Sequence, residues 1–233
     1  MTQKDLFGRA LYDYWHNDEP EDMVTWTNLT GKEVLPVSYL FRPFEQMPEP
    51  EQKALQLAKG KILDVGAGSG VHSLWLQEQG REVTALELSP VSCKLMRERG
   101  LNKVVEADFF QFSGQKFDTI MFLMNGVGIV EKAIYADKLF QKIDELLLPG
   151  GQALIHSSDL KYLYETGGGY LMPKEGYYGD VRFYLSYKGE TETFDWTYID
   201  EQTLMSFALQ HGFLAEKVAE SEYGDFLLQV IKQ

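Results

Sequence analysis

Between residues 60 and 156, short apolar runs alternate with helix-periodic stretches, and no other feature restricts the possible folds so tightly. Runs of strand length cover Lys61–Val65, Glu82–Leu88, Lys103–Ala107, Phe117–Leu123 and Gln152–His156. The spacing between them predicts helices. The helix after the first run is expected to stop at Gly80. The next is expected to start at Ser89-Pro90, a capping serine followed by a proline suited to the first helical position. A further helix, Tyr135–Leu148, ends at Pro149-Gly150-Gly151. Alternation at this spacing implies βαβ crossovers, which give a mostly parallel sheet with helices on both faces.

The two flanks break this rhythm. Residues 3–16 place Leu6, Phe7, Ala10, Leu11 and Tyr14 at helical spacing, and the next thirty or so residues, rich in Pro, Trp and Tyr, show no period. Residues 1–44 are therefore expected to form a helical and irregular segment over the active site, with one domain over 45–233. An insertion at 160–199 contains the glycine-tyrosine run Glu165–Asp180. It also holds a hairpin of Phe183–Tyr187 and Thr193–Tyr198 across Lys188-Gly189-Glu190. A helix over Glu201–His211 and strands at Phe213–Ala219 and Phe226–Ile231 complete the expected elements.

The net charge of −13 argues against partners held through phosphates, so neither nucleic acid nor an anionic membrane surface is expected. The single cysteine, Cys93, allows no intrachain disulfide and reads as a small buried helical residue. The stretch MTQKDLFGRA has charges and no apolar core, unlike a secretory signal, and Thr119–Val130 is too short to span a bilayer. A cytoplasmic monomer or homodimer is expected. No Cys/His cluster has metal-ligand spacing, so no metal is indicated.

Ile62–Gln77, ILDVGAGSGVHSLWLQ, joins the first strand to its helix through Gly66, Gly68 and Gly70. Glycines there allow a tight turn and a close backbone approach to a ligand. A dinucleotide fingerprint would be G-x-G-x-x-G, but Val71 occupies its last glycine position. Asp64, two residues before the first glycine, repels phosphate and attracts an ammonium or sulfonium group. S-adenosylmethionine carries both cations and no phosphate.

With ILDVGAGSG, the acid of VTALELS, VVEADFF, KFDTI and LLPGG in order, the chain resembles the class I S-adenosylmethionine-dependent methyltransferases over roughly residues 60–156. The resemblance implies a Rossmann-like, doubly wound αβα sandwich. Its sheet would be mostly parallel and seven-stranded, with one antiparallel C-terminal strand. It implies S-adenosyl-L-methionine as cofactor, leaving as S-adenosyl-L-homocysteine. Asp64 would neighbour the cofactor's amino group, and Gly66, Ala67, Gly68 and Gly70 would line its methionine part. Glu87, followed by Leu88, would take the ribose hydroxyls, since two carboxylate oxygens suit a vicinal diol. Asp108 and the Phe109 amide would take the adenine, and Asn125 would sit near the transferred methyl.

Other readings stay open at this point. An acid after a strand also caps helices, an alternative role for Asp108, and Asn125 in MNGVG also suits a turn. MNGVG lacks the Asn-Pro-Pro-aromatic pattern of family members that methylate nitrogens on nucleic acid or protein. His156, at the end of the fifth strand, is a candidate general base or else a hydrogen-bonded structural histidine. Arg42 is a candidate for a carboxylate of substrate or cofactor, and His72 reads as structural or solvent-facing. The expected reaction is methyl transfer to a small-molecule acceptor by in-line attack on the sulfonium methyl. The alternatives are an aminopropyl transferase-like enzyme and a non-catalytic cofactor-binding partner subunit.

Overall fold

The computed structural model describes residues 4–233; the expected N-terminal segment 1–44 begins in residues outside that range. In chain order the main elements are α1 (Leu6–His16), β1 (Met23–Thr27), β2 (Glu33–Leu35), α2 (Glu49–Leu57) and β3 (Lys61–Val65). Next come α3 (Val71–Glu78), β4 (Glu82–Glu87), α4 (Pro90–Glu98), β5 (Val104–Glu106), β6 (Phe117–Phe122), α5 (Ala136–Leu146) and β7 (Leu147–Ser158). The chain then forms β8 (Glu165–Thr166), β9 (Gly169–Tyr170), β10 (Asp180–Tyr187) and β11 (Glu190–Thr197). It closes with α6 (Glu201–Gln210), β12 (Phe213–Glu220) and β13 (Asp225–Lys232).

The main sheet has seven strands in the order β12-β13-β7-β6-β3-β4-β5. β13 runs antiparallel to both neighbours, while β3, β4, β5, β6 and β7 pair in parallel. The chain order reverses between β3 and β6, and ligands of open α/β sheets bind at the strand C-termini beside such a reversal. Alternation along the strands divides the core. Leu63, Val65, Ile120 and Phe122 face the layer that includes Phe140, Ile143 and Leu204. Ile62, Met121 and Leu154 face the layer that includes Ala54, Leu55, Leu76 and Met96. Ser89 caps α4 by accepting from the Ser92 amide, and Cys93 is buried, as its helical setting implies.

The two flanks join in a way that their local sequence does not show. β1 pairs antiparallel with β2 and with β10, giving a separate four-stranded sheet ordered β11-β10-β1-β2. The aperiodic stretch after α1 therefore contains two strands, of which β1 finds its second partner in the insertion and β2 forms the sheet edge. Trp26 stacks on Tyr184 at 5.2 Å, which fixes the β1–β10 register from the side chains as well. The hairpin forms across Lys188-Gly189, both at positive φ (45° and 75°), as a tight turn with the strand twist requires. α1 is amphipathic and buries Leu6, Ala10 and Leu11 against Leu95 of α4 and against Leu185 and Tyr187 of the added sheet.

Candidate active site

The glycine loop is built at the end of β3. Gly66, Gly68 and Gly70 have φ of 71°, 55° and 80°, a left-handed backbone that a Cβ disfavours. Their needs differ. An added Cβ at Gly66 would meet nothing, so only conformation demands glycine there, whereas at Gly70 it would lie 2.7 Å from the Met96 side chain. The amides of Gly66 and Ala67 donate to the Leu86 carbonyl at 2.8 and 3.3 Å, tying the loop to β4.

Two acids flank this loop. Asp64 is buried and accepts from Ser73 Oγ at 2.7 Å. Burial pushes its carboxyl above the ordinary value, and nearby His72 and the Ser73 hydroxyl only partly oppose that. No cation is bonded to it among the described residues, so an incoming ammonium has a carboxylate to meet. Glu87, the last residue of β4, accepts three backbone amides: Gly68 at 2.9 Å, Leu88 at 2.8 Å and Ser89 at 2.9 Å. Burial raises its carboxyl as well, against the pull of those amides. A carboxylate offers about four acceptor positions, so room remains beside the three amides. Leu88 is 56% exposed, an apolar side chain left open at the sheet edge.

Asp108, after β5, accepts from the Phe110 amide at 2.7 Å, so it caps the turn that places the Phe109 amide. The Phe109 ring is buried edge-on against Phe122 at 5.2 Å.

After β6, Met124 and Asn125 take φ of 52° and 58° in succession. The Asn125 amide donates to His156 Nδ1 at 2.7 Å, and its side-chain nitrogen donates to the Thr197 carbonyl at 3.3 Å. Its Oδ1 is buried and has no hydrogen-bond partner among the described residues. His156 Nε2 lies 2.9 Å from Asp225 Oδ2. Of the two readings of His156, this arrangement fits the hydrogen-bonded structural histidine. An amide donating to Nδ1 places the ring proton on Nε2, where Asp225 takes it, and no lone pair is left for a substrate proton.

Arg42 is likewise turned inward. It is 3% exposed, pairs with both oxygens of Glu51, and donates to the Tyr39 carbonyl at 2.6 Å. Glu51 also meets His72 Nε2 at 2.6 Å. Burial alone would raise the Glu51 carboxyl, but His72 and Arg42 together hold it below the usual range. This buried triad pins α2 and the start of α3 to the segment before α2. No local sequence pattern marks it, because its members lie on three separate elements.

The N-terminal end of α1 reaches the same edge of the sheet. Asp5 Oδ2 accepts from Ser89 Oγ at 2.8 Å, and the Leu6 amide donates to Glu192 of β11 at 3.3 Å. The Phe7 ring lies 3.5 Å from where a Gly68 Cβ would be. On the other flank Tyr177 and Tyr178 are anchors, donating to Asp200 at 2.5 Å and to Asp159 at 2.7 Å. Tyr170 and Leu171 stay exposed. Among the described residues no group of His, Cys, Asp and Glu converges as a metal site requires, and no helix is long and apolar enough to cross a membrane.

The donors and acceptors at this edge fit S-adenosylmethionine: an unpaired buried carboxylate, a left-handed glycine loop, and a second carboxylate one strand away. The comparisons agree. A family model described as a methyltransferase domain matches residues 62–151. The crystal structure of a SAM-dependent methyltransferase from Bacteroides fragilis, in complex with S-adenosyl-L-homocysteine, matches with a TM-score of 0.90 and 40% sequence identity, covering 99% of this chain and 96% of that one. The cypemycin N-terminal methyltransferase of Streptomyces sp is 30% identical over 111 residues, 46% of this chain and 45% of the relative. A ubiquinone biosynthesis O-methyltransferase of Xylella fastidiosa is 39% identical over 57 residues, 24% of this chain and 23% of the relative. This chain thus spans less than half the length of these curated relatives. It belongs to the class I S-adenosylmethionine-dependent methyltransferases, and its cofactor is S-adenosylmethionine.

Proposed function

We propose that the protein transfers a methyl group from S-adenosylmethionine to a small-molecule acceptor by in-line attack, without a histidine base. The observation that carries this reading is the convergence of Asp64, the glycine loop, Glu87 and Asn125 at the C-terminal ends of β3, β4 and β6. Bound S-adenosylmethionine supplies a methyl group already activated by its sulfonium charge. The residues then have to hold and align. Asp64 takes the ammonium group, while Gly66, Ala67, Gly68 and Gly70 bring backbone along the methionine part. Glu87 takes the ribose hydroxyls, Leu88 covers the adenine, and Asp108 with the Phe109 amide holds its edge. Asn125 faces the acceptor, and its unpaired Oδ1 accepts a hydrogen bond that orients the attacking group, whose proton, where it carries one, passes to water as S-adenosylhomocysteine leaves. Alignment of this kind supplies a large part of a rate enhancement.

The net charge of −13 supports a small acceptor over nucleic acid. The relatives' names span N- and O-methylation, so the acceptor atom is left to experiment. α1 and the excursion after β7 serve as covers over the acceptor side. A panel of small amines, phenols and carboxylic acids, assayed for S-adenosylhomocysteine release, tests the proposal. Tight S-adenosylhomocysteine binding with no release from any member of the panel, at any enzyme concentration, would favour a non-catalytic binding subunit.

A further inference from the structure

We infer that His156 and Asp225 are positioning residues: the neutral, Nε2-protonated imidazole, fixed by Asp225, holds the left-handed Met124–Asn125 turn that aims Asn125 at the acceptor. The inference rests on the proposed role of Asn125.

Two successive residues with side chains at φ of 52° and 58° are disfavoured for L-amino acids, least for asparagine and more for methionine. Strain of this sort persists only where surrounding contacts impose it, and it concentrates at functional sites. The contacts that impose it here come from three directions. From β7, His156 Nδ1 receives the Asn125 amide at 2.7 Å. From the end of β11, the Thr197 carbonyl receives the Asn125 side chain at 3.3 Å. From the turn itself, the Gly128 amide donates to the Asn125 carbonyl at 3.0 Å, and Gly128 has no room for a Cβ because the Trp196 ring fills that space. The bond from the histidine is the shortest of the three.

That bond dictates the state of the ring. Nδ1 must offer its lone pair, so the proton sits on Nε2, and Asp225 Oδ2 accepts it at 2.9 Å. Asp225 is itself held: Ser221 Oγ bonds its Oδ1, and the Ser221 amide donates to the Asp225 carbonyl at 2.8 Å. The hydrogen bond from His156 also keeps the Asp225 carboxyl below its usual range. The register of β13 on β7, with Leu227 opposite His156 and Asp225 opposite Ser158, brings the acid to the ring. The pairing of β13 with β7 thus sets the geometry of a residue far earlier in the chain.

Nitrogen-15 NMR of the histidine rings in the full chain with S-adenosylhomocysteine is the first test. The His156 resonances are expected to report Nε2–H, and an Nδ1–H ring would overturn the inference. The second test is hydrogen exchange at the Asn125 amide in two variants. His156→Gln keeps one acceptor and one donor, and is expected to retain protection within about tenfold. His156→Phe removes both and is expected to lose at least a hundredfold. Adding Met124→Gly to His156→Phe relieves the strain and is expected to recover part of that protection. Equal protection in wild type and His156→Phe would overturn the inference. If His156→Phe does not fold, the ring resonances and His156→Gln decide.

With an acceptor from the panel above, His156→Phe should lower kcat at least tenfold with S-adenosylhomocysteine affinity within about threefold, and His156→Gln should restore most of it. A His156→Gln protein as slow as His156→Phe would instead mark the ring as a proton carrier and overturn the positioning role. Full turnover by Asn125→Ala would remove Asn125 from the acceptor site and sink the functional reading. Full turnover by His156→Phe beside an inactive Asn125→Ala would sink only this inference.

Discussion

Replacing Glu87 by glutamine separates two tasks that the structure assigns to one carboxylate. Inside the protein, Oε1 accepts the Leu88 and Ser89 amides and Oε2 accepts the Gly68 amide. A glutamine turns its remaining oxygen to the Leu88–Ser89 pair, which leaves its NH2 facing the Gly68 N–H. One hydrogen bond to a charged acceptor is lost and a donor meets a donor, at a cost of about 1.5–3 kcal/mol of folding stability. The ribose loses one charged partner as well. The same range applied to binding weakens S-adenosylhomocysteine about 10- to 150-fold. Glu87→Ala should destabilise further, though by less than three full bonds, because exposed Leu88 lets water reach its amide. Urea unfolding and calorimetric titration with S-adenosylhomocysteine measure the two effects on the same preparations. Lower stability with unchanged affinity would refute the ribose role and leave Glu87 as an internal brace of the glycine loop. Unchanged values for both would refute the reasoning altogether.

Arg42→Leu leaves Glu51 buried beside His72 alone and should cost about 3–5 kcal/mol in urea unfolding. Arg42→Leu combined with Glu51→Met should cost less than the sum of the two single changes, and strict additivity would refute the coupling. Burial raises the carboxyls of Asp64 and Glu87 from their ordinary 3.8 and 4.5. In the window above those values the folded protein binds more protons than the unfolded chain, so ligand-free stability falls as pH rises. Ammonium binding needs Asp64 ionised, so the Tm gain on adding S-adenosylhomocysteine should grow as pH rises above the ordinary carboxyl range. A pH-independent gain would refute this. Replacing residues 166–175 by a short turn spares Tyr177 and Tyr178, which are anchored to Asp200 and Asp159. S-adenosylhomocysteine affinity should stay within a few-fold while turnover drops more than tenfold; full turnover would reduce the excursion to a surface connection.

The parts of this protein legible in its sequence are those governed by neighbours along the chain. The strand-glycine-helix passage from Lys61 to Glu78 was readable because a left-handed backbone at Gly66, Gly68 and Gly70 and an apolar strand before it are local properties. Glu87 and Asp108 were readable as strand-end acids for the same reason, and the hairpin across Lys188-Gly189 announced itself through its turn. Tertiary structure decided everything that depends on a distant partner. β1 is five residues with no clear alternation, and the distant β10 of the insertion, beside the nearby β2, makes it an inner strand of a sheet. Arg42 has the chemistry of a ligand-binding residue, and what turned it inward was Glu51, brought under it by the packing of α2. His156 has the chemistry of a base, and what occupied its two nitrogens was an amide from the end of β6 and a carboxylate from β13. A side chain's capacity to donate, accept or ionise belongs to its residue type. Whether that capacity is left free for a ligand depends on which groups the fold places within 3 Å of it.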